Sequence, residues 1–376
     1  MTVWGAYRIL STDIVTGPIL TVEGPAILDL NGHTVDSSDL TTCIRIIGKG
    51  ATVKNGIVAA GYIGIEGSEL DGALIKDIIA TDNAAYGIYL DGNNYRLQNV
   101  TAQGTYYFGE DSAVPGSYYE YGAGIDVYGN NNRLHRVTAV GNLDYNILVG
   151  GNNNQIKDCY VAGSYAGIFL FGNNNTFISN IVDSHNNCIK TFDGNVIKNN
   201  TVRNCNYGVM IEGNNTIVAH NKFYSNGRAS ITATMSWSHS NRIIGNRITK
   251  TSGNGIELDF VRKTVVDSNV IVDSAENGIV LGPSSAGCTV KSNIVRKCGM
   301  AGLRIRGADG NNVTANNVSS CSRGINAGLG SNRNRLINNR ASNNTVFDLS
   351  DMSANCGSNV WKGNTGKGNI ACTLKK

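Results

Sequence analysis

Three acids and one lysine stand out in a chain that is poor in charge: Glu212, Glu257, Asp259 and Lys190. Asp, Glu, Lys and Arg together make up 16% of the 376 residues. Paired carboxyl groups are the working parts of glycosidic hydrolysis, one giving a proton and the other activating water. A lysine in apolar surroundings can lose its proton and abstract one, as β-elimination from a uronate requires. Either chemistry needs the four residues on one surface, which only regularly repeating elements can provide over this span of sequence.

A small residue followed by an apolar one recurs along the chain. The pairs are Cys43-Ile44, Gly64-Ile65, Gly87-Ile88, Gly124-Ile125, Asn146-Ile147, Gly167-Ile168, Cys188-Ile189, Gly208-Val209, Ser230-Ile231, Gly255-Ile256, Gly278-Ile279, Gly302-Leu303 and Gly324-Ile325. Successive pairs are 20–25 residues apart, except for one step of 37 between Ile88 and Ile125. Such a period, with 4 Pro and no helix signal, predicts a solenoid of stacked β-coils. A second series, Asn55, Asp77, Asn99, Arg136, Asp158, Asn180, Asn200, Asn221, Asn246, Asn269, Asn293, Asn317 and Asn339, marks a corner before another short strand. Asn tolerates the left-handed backbone of a sharp corner, and stacked Asn side chains can bond from coil to coil. Gly-Asn-Asn, as in Gly92-Asn93-Asn94 and Gly172-Asn173-Asn174, marks the turn after the first strand.

Strand alternation then sorts the side chains. With each repeat Ile inward, the residues one and three later face out. The outward columns carry Phe169, Phe171, Phe192 and Met210 as an apolar patch, with Lys190, Glu212, Glu257 and Asp259 beside it. Exposed aromatics on a solenoid call for a cover, either a sugar ring or a second subunit. Glu212 and Asp259 share a column two rungs apart, roughly 9.6 Å at the backbone, against about 6.5–9.5 Å for inverting glycosidases. Glu257 and Asp259 lie on one strand and face the same way, a like-charge pair that can raise one pKa. The expected roles are Glu212 and Asp259 as acid and base, Glu257 as pKa partner, and Lys190 as substrate binder or elimination base. Phe169, Phe171 and Trp237 are expected to stack on sugars, with Phe192, Asp126, Tyr128, His239, Arg262 and Lys263 as further binding residues. Arg262 and Lys263 could hold a uronate carboxylate. No cofactor is required, although the hard oxygens of Glu212, Glu257 and Asp259 would suit calcium.

The 37-residue step predicts a loop over about 105–121, rich in Tyr, that could wall one end of the groove. Its aromatics could equally cover the solenoid itself. Net charge is +4 with scattered Lys and Arg, which permits an anionic partner but gives no nucleic-acid footprint. No apolar run is long enough for a membrane span. The first residues do not read as a signal peptide. Of the nine Cys, Cys43, Cys188, Cys298 and Cys321 read as buried thiols, while Cys356 and Cys372 could close the last segment as a disulfide.

The pattern Gly-Ile-x-Leu-x-Gly-Asn-Asn with a following Asn-hydrophobic strand resembles the right-handed parallel β-helix superfamily. That group includes pectate lyases, polygalacturonases, alginate lyases, mannuronan epimerases, phage tailspikes and NosD-like carbohydrate-binding and sugar-hydrolysis repeats. The resemblance covers about residues 25–340. It implies an all-β, single-domain, three-sheet β-helix of about 13 coils, with a carbohydrate groove along the first sheet. Residues 1–40 would be an N-terminal cap with an incomplete coil, 41–340 the coils, and 341–376 a C-terminal cap. The Asp-Pro-His-Asp stretch of mannuronan epimerases is absent, as are the Asn-Thr-Asp, Gly-His-Gly and Arg-Ile-Lys set of polygalacturonases, so no named activity carries over. The expectation is an extracellular or cell-surface protein that binds a polysaccharide, including anionic ones, and cleaves it by hydrolysis or β-elimination. A non-catalytic adhesin or tailspike-like protein and an epimerase with an atypical site stay open, as do monomer and homotrimer.

Overall fold

The computed structural model describes residues 2–15, 19–37, 41–106, 108–110, 118–120, 122–353 and 358–368. Among them there are strands and turns and no helix. The strands pair in parallel with the strand one coil later, apart from one short antiparallel pair. The whole is a parallel β-solenoid of the right-handed β-helix type. It divides into two compact units, residues Met1–Asn186 and Asn187–Lys376.

Within each unit a coil contributes three strand positions. In the first unit one coil runs through Tyr145–Gly150, Gln155–Lys157 and then Tyr160, and each position pairs in register with the neighbouring coil. In the second unit the corresponding strands are Tyr207–Ile211, Ile217–Ala219 and Lys222–Tyr224. The repeat apolar residues stack on one another: Ile44, Ile65, Ile88, Ile125, Ile147 and Ile168 in one unit, Ile231, Ile256, Ile279, Leu303 and Ile325 in the other, all fully buried. Each such side chain contributes about 1.5–3 kcal/mol by leaving water. The residue before the Ile must be small because the next coil passes close by. A Cβ on Gly87 would lie 2.6 Å from the carbonyl oxygen of Gly124.

The stack also reaches into the segments expected to be caps. Leu20–Glu23 pairs with Thr42–Ile47, and Thr2–Trp4 pairs with Leu20–Glu23. Phe347–Asp351 pairs with Arg323–Ala327, and Val360–Lys362 with Arg335–Ile337. Apolar residues at the repeat spacing suffice to extend a coil, so Leu20 and Leu349 each add a rung.

The corner series needs two corrections. Asn55, Asp77, Asn99, Arg136 and Asp158 take the left-handed conformation as expected, but farther along it falls to the preceding residue: Ser179, Asn199, His220, Gly245, Ser268, Ser292, Ala315 and Asn338. The Asn that follows is then free to turn inward and bond along the stack. The residue in register is Asn316, not Asn317. The backbone N–H of Asn293 donates to Asn316 Oδ1 at 3.0 Å, and that of Asn316 to Asn339 Oδ1 at 3.0 Å. Asn246 bonds in the same way, accepting from Asn221 and donating to Asn269, each at 2.9–3.0 Å.

The thiol expectation is corrected at Cys188, which forms a disulfide with Cys205 in the same coil. Spacing along a column shows only what stacks above and below Cys188 and hides a partner across the coil. Cys43, Cys298 and Cys321 are free and buried, and the backbone N–H of Cys298 points at Cys321 Sγ, 3.3 Å away. Cys356 and Cys372 lie outside the described residues.

Candidate functional site

The long step leaves the stack intact. Ile88 pairs directly with Ile125, Tyr89 with Asp126, and Asp91 with Tyr128. Of the loop, Phe108–Glu110 and Tyr118–Glu120 form the antiparallel pair. Thr105 is buried and the Tyr106 backbone N–H donates to the Ala84 carbonyl at 3.1 Å, while residues 107, 111–117 and 121 of the expected wall lie outside the described residues.

Where the loop returns, register brings a compact set of groups onto the outward face. Asp126 sits among Tyr86, Tyr89 and Tyr128. The Tyr86 and Tyr89 rings are 5.3 Å apart, and the Tyr89 and Tyr128 rings 6.3 Å. Asp126 is only 4% exposed, and its Oδ1 is buried without a hydrogen-bond partner. A carboxylate without a donor is costly to ionise away from water. Burial first, and then the charge of Asp91, push its carboxyl up to about 7. Burial and the neighbouring acids also push Tyr86 and Tyr128 up to about 12 and raise Tyr89, so all three keep their protons across the neutral range. Asp91 is exposed and lies one rung and two residues away from Asp126. Adjacent strands about 4.8 Å apart and a step of about 6.7 Å along the strand set the two backbones about 8 Å apart.

Farther along the first unit, Phe169 stacks on Tyr145 with centroids 5.6 Å apart and meets Phe171 edge-on at 5.4 Å. Phe171 is 54% exposed.

In the second unit the expected catalytic residues separate into two sets. Lys190 Nζ holds Glu212 Oε2 at 3.1 Å and lies 5.8 Å from the Phe192 ring centroid. Lys190 Nζ is thus engaged by a carboxylate and a ring, whereas the elimination base was expected in purely apolar surroundings. Asp259 lies two rungs from Glu212, with Thr234 between them in the column. It interacts instead with Glu257 and Arg306. Burial raises the Asp259 carboxyl, Glu257 adds to the rise, and Arg306 opposes it. Asp259 Oδ1 has no partner and lies where a Cβ on Gly282 would be, 1.5 Å from that position. Only glycine leaves room there for the carboxyl.

Trp237 donates its indole N–H to the Glu212 carbonyl at 2.8 Å while its ring stays 57% exposed, a pinned platform. His239 and Arg262 are not beside the carboxylates. They pair with each other in the corner after the first strand, and Lys263 takes a left-handed conformation in that corner. The cation acting on Asp259 is therefore Arg306, which the outward column contained but the expected set left out. Among the described residues no three His, Cys, Asp or Glu side chains converge in a way that could hold a metal ion. Glu212, Glu257 and Asp259 offer a calcium no shared centre, since Glu212 is engaged by Lys190.

The family model described as "Right handed beta helix region" matches residues 117–248, 183–303 and 236–373, more than half of the chain. The chain belongs to the right-handed β-helix family. No curated protein matches the sequence. Among solved structures, it is similar to a PL6 alginate lyase in complex with a trisaccharide, at 14% identity, 83% of this chain, 79% of that one and a TM-score of 0.52. It is also similar to the catalytic unit of an α-1,3-glucanase from Streptomyces thermodiastaticus, at 11% identity, 94% and 65% coverage and a TM-score of 0.50. Tailspike protein 3 of bacteriophage CBA120 matches at 11% identity, 94% and 57% coverage and a TM-score of 0.53. The chain spans less than two thirds of the last two. At these identities the likeness is one of fold.

Proposed function

We propose that this β-helix binds a polysaccharide across the outward face of its first unit and hydrolyses a glycosidic bond there. Asp126 is the proton donor and Asp91 the base that activates water. The observation that carries this reading is the buried Asp126 carboxyl, with one oxygen unpartnered and a pKa pushed up to about 7. A general acid serves best when its pKa lies near the working pH.

The Asp126 proton passes to the glycosidic oxygen as that bond breaks. Asp91 takes a proton from a water that attacks the opposite face of the sugar. One water is added across the bond, and the two carboxyls regain their starting states through solvent. From backbones about 8 Å apart, the two side chains can hold their carboxyls at the roughly 6.5–9.5 Å that inversion of the anomeric centre uses. Tyr89 and Tyr128, still protonated, offer flat faces and hydroxyl donors to the sugar. Tyrosines that hold their protons through the neutral range leave no tyrosinate there to abstract a proton, which disfavours β-elimination and epimerisation at this site.

The similar fold in an alginate lyase and an α-1,3-glucanase supports action on a polysaccharide without choosing one. The disulfide Cys188–Cys205 supports an oxidising, extracellular or cell-surface location. A second reading keeps the chemistry on Glu257 and Asp259, favoured by the unpartnered Asp259 oxygen over Gly282.

A screen of neutral and uronate polysaccharides tests the proposal. New reducing ends without the ultraviolet absorbance of an unsaturated uronate are expected. That absorbance would make the protein a lyase. No product from any glycan, together with an oligomer in sedimentation, would favour the adhesin or tailspike-like reading.

A further inference from the structure

The last coils of the second unit carry a cleft that the chemistry above does not use. It encloses about 490 Å³ and is lined by Arg304, Arg323, Asn326, Phe347, Met300 and Met352, among others. That volume lies within the range of small-ligand sites, about 300–1,000 Å³. Arg304 belongs to the same outward column as Lys190 and Glu257, so the cleft opens on the first-strand face.

Two arginines, Arg304 and Arg323, and one acid, Asp351, line it. Arg304 is half-buried, and burial followed by the charges of Arg306 and Arg323 lowers its pKa, with only Glu276 opposing. Among the described residues none of the three guanidiniums has a carboxylate within ion-pair distance. Arg323 lies instead 5.7 Å from the Phe347 ring centroid. The cleft's own acid, Asp351, is occupied: Oδ1 accepts from the Ser353 backbone at 3.0 Å, and Oδ2 accepts from Asn359 at 3.0 Å and Trp361 at 2.9 Å. Arg304 and Arg323, with no carboxylate at ion-pair distance, repel one another, and an anion between them relieves that cost.

A second feature is independent of charge. Asn326 is 6% exposed, and its Oδ1 is buried with no donor. A ligand hydroxyl would satisfy it. Phe347, Met300 and Met352 offer apolar walls of the kind that cover a sugar ring.

We infer that this cleft is a subsite for one acidic sugar unit of a polysaccharide, with Arg304 and Arg323 on its anionic group, Asn326 on a hydroxyl and Phe347 beside the ring. The inference rests on the polysaccharide reading above and narrows it to chains that carry carboxylate or sulfate groups.

The test is equilibrium binding by titration calorimetry on the full chain carrying Asp126→Asn, so that no turnover intrudes. The probes are tetragalacturonate, its methyl ester, and a sulfated galactan oligosaccharide of equal length. Binding of at least one of the two anionic probes about tenfold or more tighter than the ester is expected. Arg304→Gln and Arg323→Gln should each remove that preference while leaving the far-ultraviolet circular dichroism unchanged. Preference for the carboxylate probe alone identifies a uronate, and for the sulfated probe alone a sulfate ester. Equal affinity for all three, or a preference that survives both Arg substitutions, overturns the inference. Cleavage of a neutral glucan that depends on Asp126, without any acid preference, would overturn this inference and leave the proposed function standing. Arg304-dependent acid binding without Asp126-dependent cleavage would do the reverse.

Discussion

Each unit builds an outward column beside its repeat apolar residues, and the two load it in opposite ways. In the first, Asp126 is buried among tyrosines with one oxygen unmatched, and its proton stays on until about neutrality. In the second, Glu212 is tied to Lys190, Asp259 is opposed by Arg306, and the end of the column is rich in arginine. The lesson is that carboxylates on one scaffold differ through their partners. A paired carboxylate is spent on holding a neighbour, whereas a buried and unpaired one is poised to give or take a proton.

The sharpest way to break this contrast is to neutralise one carboxyl in each unit. Asp126→Asn is expected to lower kcat about 10²–10⁴-fold, the usual worth of a general acid. Glu212→Gln and Asp259→Asn should each change it by less than about tenfold, through substrate positioning alone. Steady-state rates on the glycan found in the screen decide. A larger loss in Asp259→Asn than in Asp126→Asn would move the chemistry to the second unit.

The contrast also predicts a stability effect with a definite sign. The Asp126 carboxyl is raised from an ordinary 3.8 to about 7 in the folded chain. Between those values the unfolded chain binds fewer protons, so stability falls as pH rises through that window and levels off above it. The full gap corresponds to at most about 4 kcal/mol, less whatever local water recovers. Asp126→Asn should therefore raise the denaturation midpoint at pH 8 and change it little at pH 4. Glu212→Gln should do the opposite at pH 8, lowering stability by about 1 kcal/mol through loss of its ion pair with the partly exposed Lys190. Chemical denaturation at the two pH values reads both.

Cys205→Ser sharpens the comparison at a smaller scale, because a disulfide is described only in the second unit. Closing a loop of this size is worth about 3 kcal/mol. The loss should appear in unfolding of residues 187–376, and hydrogen exchange should leave the strands around Asp126 unchanged.

Much of the fold was legible because a solenoid repeats its constraints. The Ile column, the small residue before it and the coil interval are each written many times, so a single exception such as the 37-residue step stands out. The site was half legible. Alternation put Asp126, Tyr128, Lys190, Glu212, Arg304 and Arg306 on one face, but it could not say which side chains meet. The pairing of Lys190 with Glu212 depends on rotamers between neighbouring coils. The burial that lifts Asp126 depends on three tyrosines closing around it. Arg262 and Lys263 looked near Asp259 by number, yet the chain turns a corner before reaching them. Asn316 was displaced by one residue in the reading because two adjacent Asn, 316 and 317, offered no way to tell the stacked one from its neighbour.

The most direct measurement needs no substrate. Carbon-13 labelling of Asp carboxyl groups and NMR titration from pH 4 to 9 would follow each carboxyl, with Asp126→Asn supplying the assignment. The account predicts one resonance that titrates near pH 7 in the intact protein and vanishes in the variant. If the Asp126 carboxyl titrates below pH 5, it is an ordinary surface acid, and the proposed proton donor is wrong.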